Sequence, residues 1–212
     1  MTKRAPLVHI VDDDPAIRDA LSWLFSTRQV NTELWESGEA FLDALSPETQ
    51  GCILLDIRMD GLSGLEVFEQ LRERPSPLPV IFLTGHGDLP LAVNALKQGA
   101  ADFIEKPFND NDLVDRVLDV LRSYEASQAE RDNEQALEER LDTLSQRERE
   151  VLALALEGRL NKQIAQDLNI TMRTVEVHRA RALEKMQSRT LIELARLLDP
   201  ARLREDRNPP GS

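Results

Sequence analysis

The chain has 212 residues, enough for one large domain or two smaller ones, and its 41% hydrophobic and 30% charged content is that of a soluble globular protein. No apolar run approaches the roughly 20 residues needed to span a bilayer. The start, Met1-Thr2-Lys3-Arg4-Ala5-Pro6, leads into a strand without a secretory apolar region. The expected location is cytoplasmic, with no membrane partner. The single cysteine, Cys52, excludes an intramolecular disulfide and reads as a small core residue of a strand. His9, His86 and His178 are dispersed and lack metal-ligand spacing. The net charge of −12 would by itself argue against nucleic acid, but it hides an asymmetry. Residues 1–142 carry 13 basic and 28 acidic side chains (−15), and residues 143–212 carry 13 and 10 (+3). An acidic part joined to a mildly basic one suggests two domains with different partners.

In chain order, Leu7 to Val11 is a β-branched apolar run and a first strand, ending in Asp12-Asp13-Asp14. Pro15 then opens a helix with Asp14 as N-cap, and Ile17, Leu21, Leu24 and Phe25 recur at helical spacing. Val30 to Trp35 reads as a second strand, and Ser37-Gly38 starts a short helix with Phe41, Leu42 and Leu45. Cys52-Ile53-Leu54-Leu55-Asp56 is a buried strand that delivers one carboxylate to a sheet edge. Ser63-Gly64-Leu65-Glu66 is a capping box for the next helix. Pro79 to Leu83 is a fourth strand, ending at Thr84-Gly85. Asp88-Leu89-Pro90 caps a helix through Leu91, Val93, Leu96 and Lys97 that Gly99 stops. Asp102 to Ile104 is a fifth strand ending near Lys106-Pro107, and Leu113, Val117, Val120 and Leu121 mark a fifth helix. Five βα units predict an α/β fold: a flavodoxin-like (βα)5 parallel sheet of order 2-1-3-4-5 over residues 1–124. That order makes strands 1 and 3 neighbours, so Asp12, Asp13 and Asp56 converge at one end of the sheet.

Residues 125–142 are acidic, with Leu137 and Leu141 among few apolar side chains and no Gly or Pro. They read as a solvated helical linker that extends the fifth helix, with a weak coiled coil as the alternative. Residues 143–200 are all-helical. Ser145 to Glu148 is a second capping box, Asn161 caps a short helix, Thr171 a longer one and Thr190 a last one. Residues 201–212 read as a polar C-terminal tail, frayed from Arg204 onward.

Three clustered carboxylates repel one another unless a cation neutralises them. Hard oxygen donors with room for water suit Mg²⁺. A carboxylate beside such an ion can attack phosphorus and become an acyl phosphate. Lys106, at the end of the fifth strand, can stabilise charge on the transferring oxygens, and Thr84 offers a hydroxyl to the phosphoryl group. Each residue taken singly reads equally well as loop punctuation. Their shared position at one end of successive strands favours chemistry.

Val11-Asp12-Asp13-Asp14, Asp56-Ile57-Arg58-Met59, Thr84-Gly85-His86-Gly87-Asp88 and Phe103-Ile104-Glu105-Lys106-Pro107-Phe108 resemble the receiver domain of bacterial two-component response regulators, with wording similar to the FixJ group. The resemblance implies phosphorylation of Asp56 by a sensor histidine kinase. It implies Mg²⁺ held by Asp12, Asp13, Asp56 and the Arg58 backbone carbonyl. Thr84 and Lys106 would contact the phosphoryl group, with a cis Lys106-Pro107 bond and a Thr84/Phe103 switch pair. The family often has Tyr at the aromatic position, so Phe103 lacks that hydroxyl. It usually has Pro immediately after the loop's Met, where this chain has Asp60. That departure is expected to alter phosphorylation or dephosphorylation kinetics.

The strings Leu144 to Leu152, Asn161-Lys162-Gln163-Ile164-Ala165 and Thr171 to Arg179 resemble the LuxR-type helix-turn-helix of the FixJ/NarL class, an all-α four-helix domain. The resemblance puts a scaffold helix near 161–168 and a recognition helix near 171–186. Arg173, Glu176, Val177 and Ala180 would lie toward base edges of double-stranded DNA. Lys162, Thr174, Arg179 and Arg181 are candidates for phosphate contact. Glu176 could accept from a cytosine amino group, or pair with Arg173 or Arg179 within the helix. Val175, Leu183 and Met186 read as core, and His178 as a packing residue.

The expected function is a two-component response regulator whose phosphorylation promotes homodimerisation and DNA binding to regulate transcription, with activation the favoured direction and repression the alternative. The dimer would use the receiver face Leu91–Phe108 and the final helix, with RNA polymerase a candidate further partner. It is not read as an enzyme, beyond slow autodephosphorylation. Two other classes compete: a Mg²⁺-dependent aspartyl phosphohydrolase, and a phosphorylation-independent DNA binder with a docking receiver.

Overall fold

The computed structural model describes residues 7–73, 78–85 and 89–203, which fall into two compact units, Met1–Gln128 and Ala129–Ser212. Asp88 as a helix cap, the His86-Gly87 part of the fourth loop, the start Met1–Pro6 and the tail from Arg204 lie outside the described residues. In the first unit five strands alternate with helices: β1 (Leu7–Val11), α1 (Pro15–Ser26), β2 (Asn31–Trp35), α2 (Gly38–Ala44), β3 (Cys52–Asp56), α3 (Gly64–Arg72), β4 (Val80–Thr84), α4 (Leu89–Lys97), β5 (Asp102–Glu105) and α5 (Asp110–Asp142). Every pairing is parallel and the order is β2-β1-β3-β4-β5, the expected flavodoxin-like arrangement.

The central strands are apolar on both faces because helices cover both. Alternate residues point to opposite sides. Ile10, Leu54 and Ile81 pack with Leu21 and Phe25 of α1 and Leu113, Val117 and Leu121 of α5. Val11, Ile53, Leu55 and Phe82 pack with Phe41 of α2, Val67 and Phe68 of α3, and Ala92 and Ala95 of α4. Each such Val, Leu, Ile or Phe side chain contributes about 1.5–3 kcal/mol by leaving water. Cys52 is fully buried, and burial pushes its thiol pKa up to about 12, so it is an inert core residue.

The local start signals act as read. Asp14 accepts from the Ala16 N–H at 2.8 Å ahead of Pro15, and Ser37 from that of Ala40. Ser63 and Glu66 form a reciprocal capping box. Gly64 is required on steric grounds, since a Cβ there would lie 2.1 Å from the Asp56 carbonyl oxygen. That close approach lets α3 begin directly beneath the end of β3. On α4 the buried positions are Ala92 and Ala95, whereas Leu91 and Val93 are 44% and 40% exposed.

The second unit contains the end of α5, then α6 (Gln146–Leu156), α7 (Asn161–Asp167), α8 (Met172–Lys185), α9 (Leu191–Leu197) and a 3-10 turn at Pro200–Leu203. Two expectations change. Residues 125–142 do continue the fifth helix, but their last turns are not merely solvated. Leu141 is buried and Leu137 packs beside it, with Leu152, Met186, Leu194 and Leu198. The segment from Ala201 to Leu203 is no tail: Leu203 is buried in the same cluster, and Arg202 pairs with Glu138 at 2.5 Å. Sparse apolar residues still bury when a helix supplies them one turn apart. A third correction is small. The residue before α7 is Leu160, whose N–H donates to the Gln163 side chain, and Asn161 is already helical.

Ser145 and Glu148 form the expected capping box at α6, and α8 joins it. The Glu148 carboxylate is 4% exposed and takes the Ser145 N–H at 2.9 Å and the Lys185 ammonium at 2.7 Å. Burial pushes this carboxyl up, but the hydrogen bonds from Lys185 and Ser145 and the charge of Lys185 outweigh it and hold it low. A lowered carboxyl stabilises the fold above its ordinary 4.5 and ceases to do so as pH falls through the folded value. Glu148→Gln is therefore expected to cost about 1–2 kcal/mol at pH 7. In urea unfolding followed by circular dichroism, the gap from wild type should close in acid. A pH-independent gap would contradict the ion-pair account.

Candidate functional site

Four of the five candidate residues of the first unit come from strand ends. β1 and β3 are neighbours; Asp12 directly follows β1, and Asp56 is the last residue of β3. Asp12 is fully buried. Its Oδ1 accepts from the Asp14 N–H at 2.9 Å, and its Oδ2 lies 3.1 Å from Lys106 Nζ. The same ammonium is 3.4 Å from Asp56 Oδ1. Asp13 is exposed, and its Oδ2 accepts from the Asp60 N–H at 3.1 Å. Carboxylate oxygens of Asp12, Asp13 and Asp56 all lie within 4.8 Å of one another. Three carboxylates cluster where one lysine pairs with two of them, a surplus that attracts a cation. The donors are all hard oxygens, which fits a divalent ion of the Mg²⁺ type.

Asp56 is half-buried. Burial pushes its carboxyl above the usual range, the Lys106 ammonium pulls it back, and the Asp12 charge pushes it up again. Thr84 ends β4, is 1% exposed, and its hydroxyl has no hydrogen-bond partner among the described residues. Lys106 is tied to it through the main chain, its N–H donating to the Thr84 carbonyl at 2.7 Å. The Lys106-Pro107 bond is cis. Phe103 is half-buried on β5, opposite Phe82 in the strand register and packed on the same core cluster. Arg58 is exposed in the loop after Asp56, and its N–H donates to the Asp56 carboxylate.

In the second unit α7, a turn through Asn169 (φ 52°) and α8 form a helix-turn-helix, with Thr171 capping α8 through the Thr174 N–H. Val175 and Ala182 face inward, Met186 is buried beyond them, and Leu183 packs beside it. Arg173, Glu176, Val177, Ala180 and Arg181 are exposed, as is Lys162 on α7. Glu176 makes no ion pair among the described residues, so the intrahelical pairing with Arg173 or Arg179 is absent there. Thr174 is half-buried, its hydroxyl 2.8 Å from that of Thr171. Arg179 is half-buried and donates to the Asn161 side chain at 3.2 Å, joining the two helices.

Residues 8–118 match the response regulator receiver domain, and residues 142–198 match the luxR family of bacterial regulatory proteins. The chain belongs to the response regulators. It is 50% identical over 192 residues to the C4-dicarboxylate transport transcriptional regulatory protein DctR of Rhodobacter capsulatus, covering 90% of this chain and 98% of that one. It is 47% identical over 191 residues to the transcriptional regulatory protein FixJ of Azorhizobium caulinodans, covering 90% of each. The solved structure of the response regulator StyR is similar, with 38% identity, a TM-score of 0.84, and coverage of 92% of this chain and 98% of that one. This response regulator is thus a transcriptional regulator made of a receiver and a LuxR-type DNA-binding unit. Among the described residues no helix is long and apolar enough to cross a membrane.

Three contributors to this response regulator's carboxylate site escaped the sequence reading. Arg18 of α1 donates to the Asp12 carbonyl at 2.6 Å. Glu39 of α2 accepts from the Leu62 N–H at 2.8 Å, bracing the loop after β3. The Asp60 N–H binds Asp13. None carries a motif, because each acts on or through the main chain.

A carboxyl raised on folding stabilises the protein while protonated, below its ordinary 3.8, and that contribution is lost as pH rises through the folded value. At neutral pH the charge on Asp56 is therefore a cost. Asp56→Asn should raise the thermal midpoint of the receiver at pH 7 in EDTA by a few degrees, ~4 °C corresponding to about 1 kcal/mol for a domain of this size. Differential scanning calorimetry measures it; a lowered midpoint would refute the desolvation argument.

Proposed function

We propose that Asp56 is the phospho-acceptor of a two-component switch whose acyl phosphate controls DNA binding by the α7–α8 pair. The observation that carries this reading is the Lys106 ammonium, 3.1 Å from Asp12 and 3.4 Å from Asp56, at the carboxyl edge of the parallel sheet. Ligands of such sheets bind outside that edge. An Asp56 oxygen attacks the phosphorus of a phosphohistidine on a sensor histidine kinase. The new P–O bond forms as the P–N bond breaks, and the imidazole leaves with the bonding pair. Lys106 meets the charge on the phosphoryl oxygens, and the unpartnered Thr84 hydroxyl donates to one of them. Asp12, Asp13, Asp56 and the Arg58 backbone carbonyl hold Mg²⁺, which when bound offsets negative charge on the phosphoryl group. Phe103 has no hydroxyl, so in the switch pair with Thr84 its signal is its packing against the core. Water releases the phosphoryl group slowly, which makes the chain a switch and not a turnover enzyme.

In this reading residues 1–124 accept the phosphoryl group, residues 125–142 connect, and residues 143–200 bind double-stranded DNA in the cytoplasm. Phosphorylation favours a homodimer through the face from Leu91 to Phe108 and through α9. Leu91 and Val93 on α4, and Ile192 and Leu197 on α9 at 73% and 54% exposure, are apolar surface that such an interface would cover. Arg173, Glu176, Val177 and Ala180 meet base edges, while Lys162, Thr174, Arg179 and Arg181 meet phosphates. RNA polymerase is a further partner at activated promoters.

Incubation with radiolabelled acetyl phosphate and Mg²⁺ should label wild type to about one phosphoryl group per chain, labile to hydroxylamine, and leave Asp56→Asn unlabelled. Label that survives this substitution would overturn the assignment. In DNA-binding titrations, Lys162→Ala should weaken binding to all sequences alike and reduce the salt slope by about 1. Arg173→Ala should cost about 1–3 kcal/mol and relax specificity at one position. Equal losses on specific and random DNA for Arg173→Ala would remove it from base readout.

A further inference from the structure

The three carboxylates are not held alike. Asp12 is fixed by the Asp14 N–H and by Lys106, and Asp56 by Lys106 and the Arg58 N–H. Asp13 is exposed and out of reach of that shared ammonium in the ion pairs formed; its hydrogen bond among the described residues is the one from the Asp60 N–H to Oδ2, at 3.1 Å. The donor is itself braced. Two residues on, the Leu62 N–H donates to Glu39 Oε1 at 2.8 Å. Gly61 between them adopts φ +79°, and a Cβ there would lie 2.5 Å from that same Glu39 oxygen. The far end of the loop is closed by the Gly64 N–H on the Ile57 carbonyl at 3.0 Å and by the Ser63–Glu66 box. The loop from Ile57 to Ser63 is thus pinned on both sides of residue 60, so its N–H is presented at a fixed place.

We propose that the main-chain N–H of Asp60 is the positioning group for the third carboxylate, and that position 60 thereby sets the affinity of the site for a divalent cation. This rests on the reading of Asp12, Asp13 and Asp56 as that site. The N–H occupies one lone-pair direction of a carboxylate that has about four, so Asp13 retains donors for an ion. Its removal frees an exposed side chain to rotate into solvent, and a cation must then order it on binding. Proline, the residue usual at this place in the family the chain resembles, has no N–H to give. The Asp60 side chain acts separately, by adding negative charge beside the site. Loss of the N–H and loss of the charge both weaken cation binding in a proline variant, so the two contributions have to be read apart.

Mg²⁺ titrations of the full chain by isothermal calorimetry separate them. Asp60→Ala keeps the N–H and removes the charge, and Asp60→Pro removes both. The expected result is Asp60→Ala within about threefold of wild type, and Asp60→Pro a further three- to tenfold weaker, roughly the loss of one charge-assisted hydrogen bond at an exposed site. Equal affinities for the two variants would overturn the positioning role while leaving the cation site intact. No Mg²⁺ binding by wild type would overturn both. A second measurement does not depend on a proline variant folding. The Asp60 amide proton resonance of the metal-free protein should move upfield by a clear margin in Asp13→Asn, where a neutral acceptor replaces the carboxylate. An unchanged resonance would mean that the bond is not formed in solution, and the proposal would fall.

Discussion

One ammonium organises the acidic edge of this protein. Lys106 Nζ lies between Asp12 and Asp56, which arrive from neighbouring strands, and comes itself from the end of β5, an edge strand separated from β3 by β4. Without it two carboxylates would face each other in a half-buried setting, where Coulomb repulsion is several-fold stronger than in water. With it the cluster still carries surplus negative charge, since Asp13 stands beside them. The site is therefore stable enough to form and short of one cation. That surplus of negative charge is the physical basis on which a cation is proposed to bind there.

Such a cluster can persist only because the structure behind it is over-determined. Ile53, Leu54 and Leu55 are fully buried between two core clusters, so β3 cannot slide to relieve the charge at its end. A slip of one residue would turn each of those side chains to the other face. Gly64 brings α3 against the Asp56 carbonyl, and Arg18 ties the Asp12 carbonyl from α1. The apolar sheet thus offsets the electrostatic cost at its edge. The raised carboxyl of Asp56 is where that cost surfaces.

What could be read from sequence divides along the same line. Strands, caps and the order of the sheet were legible, because Val8 to Val11, Ser63 with Glu66, and Asp14 before Pro15 carry their physics within a few residues. So were Asp12, Asp56 and Lys106, since strand ends in a known topology converge. The Asp60–Asp13 bond was not: it spans 47 positions and its donor is a peptide N–H that every residue but proline possesses. The sequence drew attention to position 60 as a place where proline is usual, and the structure adds a partner, Asp13, for the N–H that proline lacks. Leu137, Leu141 and Leu203 failed for another reason. Three apolar residues in acidic or polar surroundings make no stripe, and only the folded second unit provides the surface they cover.

The helix-turn-helix repeats this distinction between a side chain's type and its engagement. Arg173 and Arg179 look equivalent in sequence, six residues apart on one helix. Arg179 is half-buried and bound to Asn161, so any phosphate it meets must share a guanidinium already joining α7 to α8. That suits a residue that fixes register, because a planar five-donor group can serve a side-chain oxygen and a phosphate at once. Arg173 carries no such tie among the described residues and is exposed beside Glu176, which is likewise unpaired. A cation and an anion one turn apart that leave each other unbound retain their full donor and acceptor capacity for base edges. In the proposed reading, discrimination between sequences belongs to the unengaged pair, Arg173 and Glu176, and the engaged arginine contributes orientation.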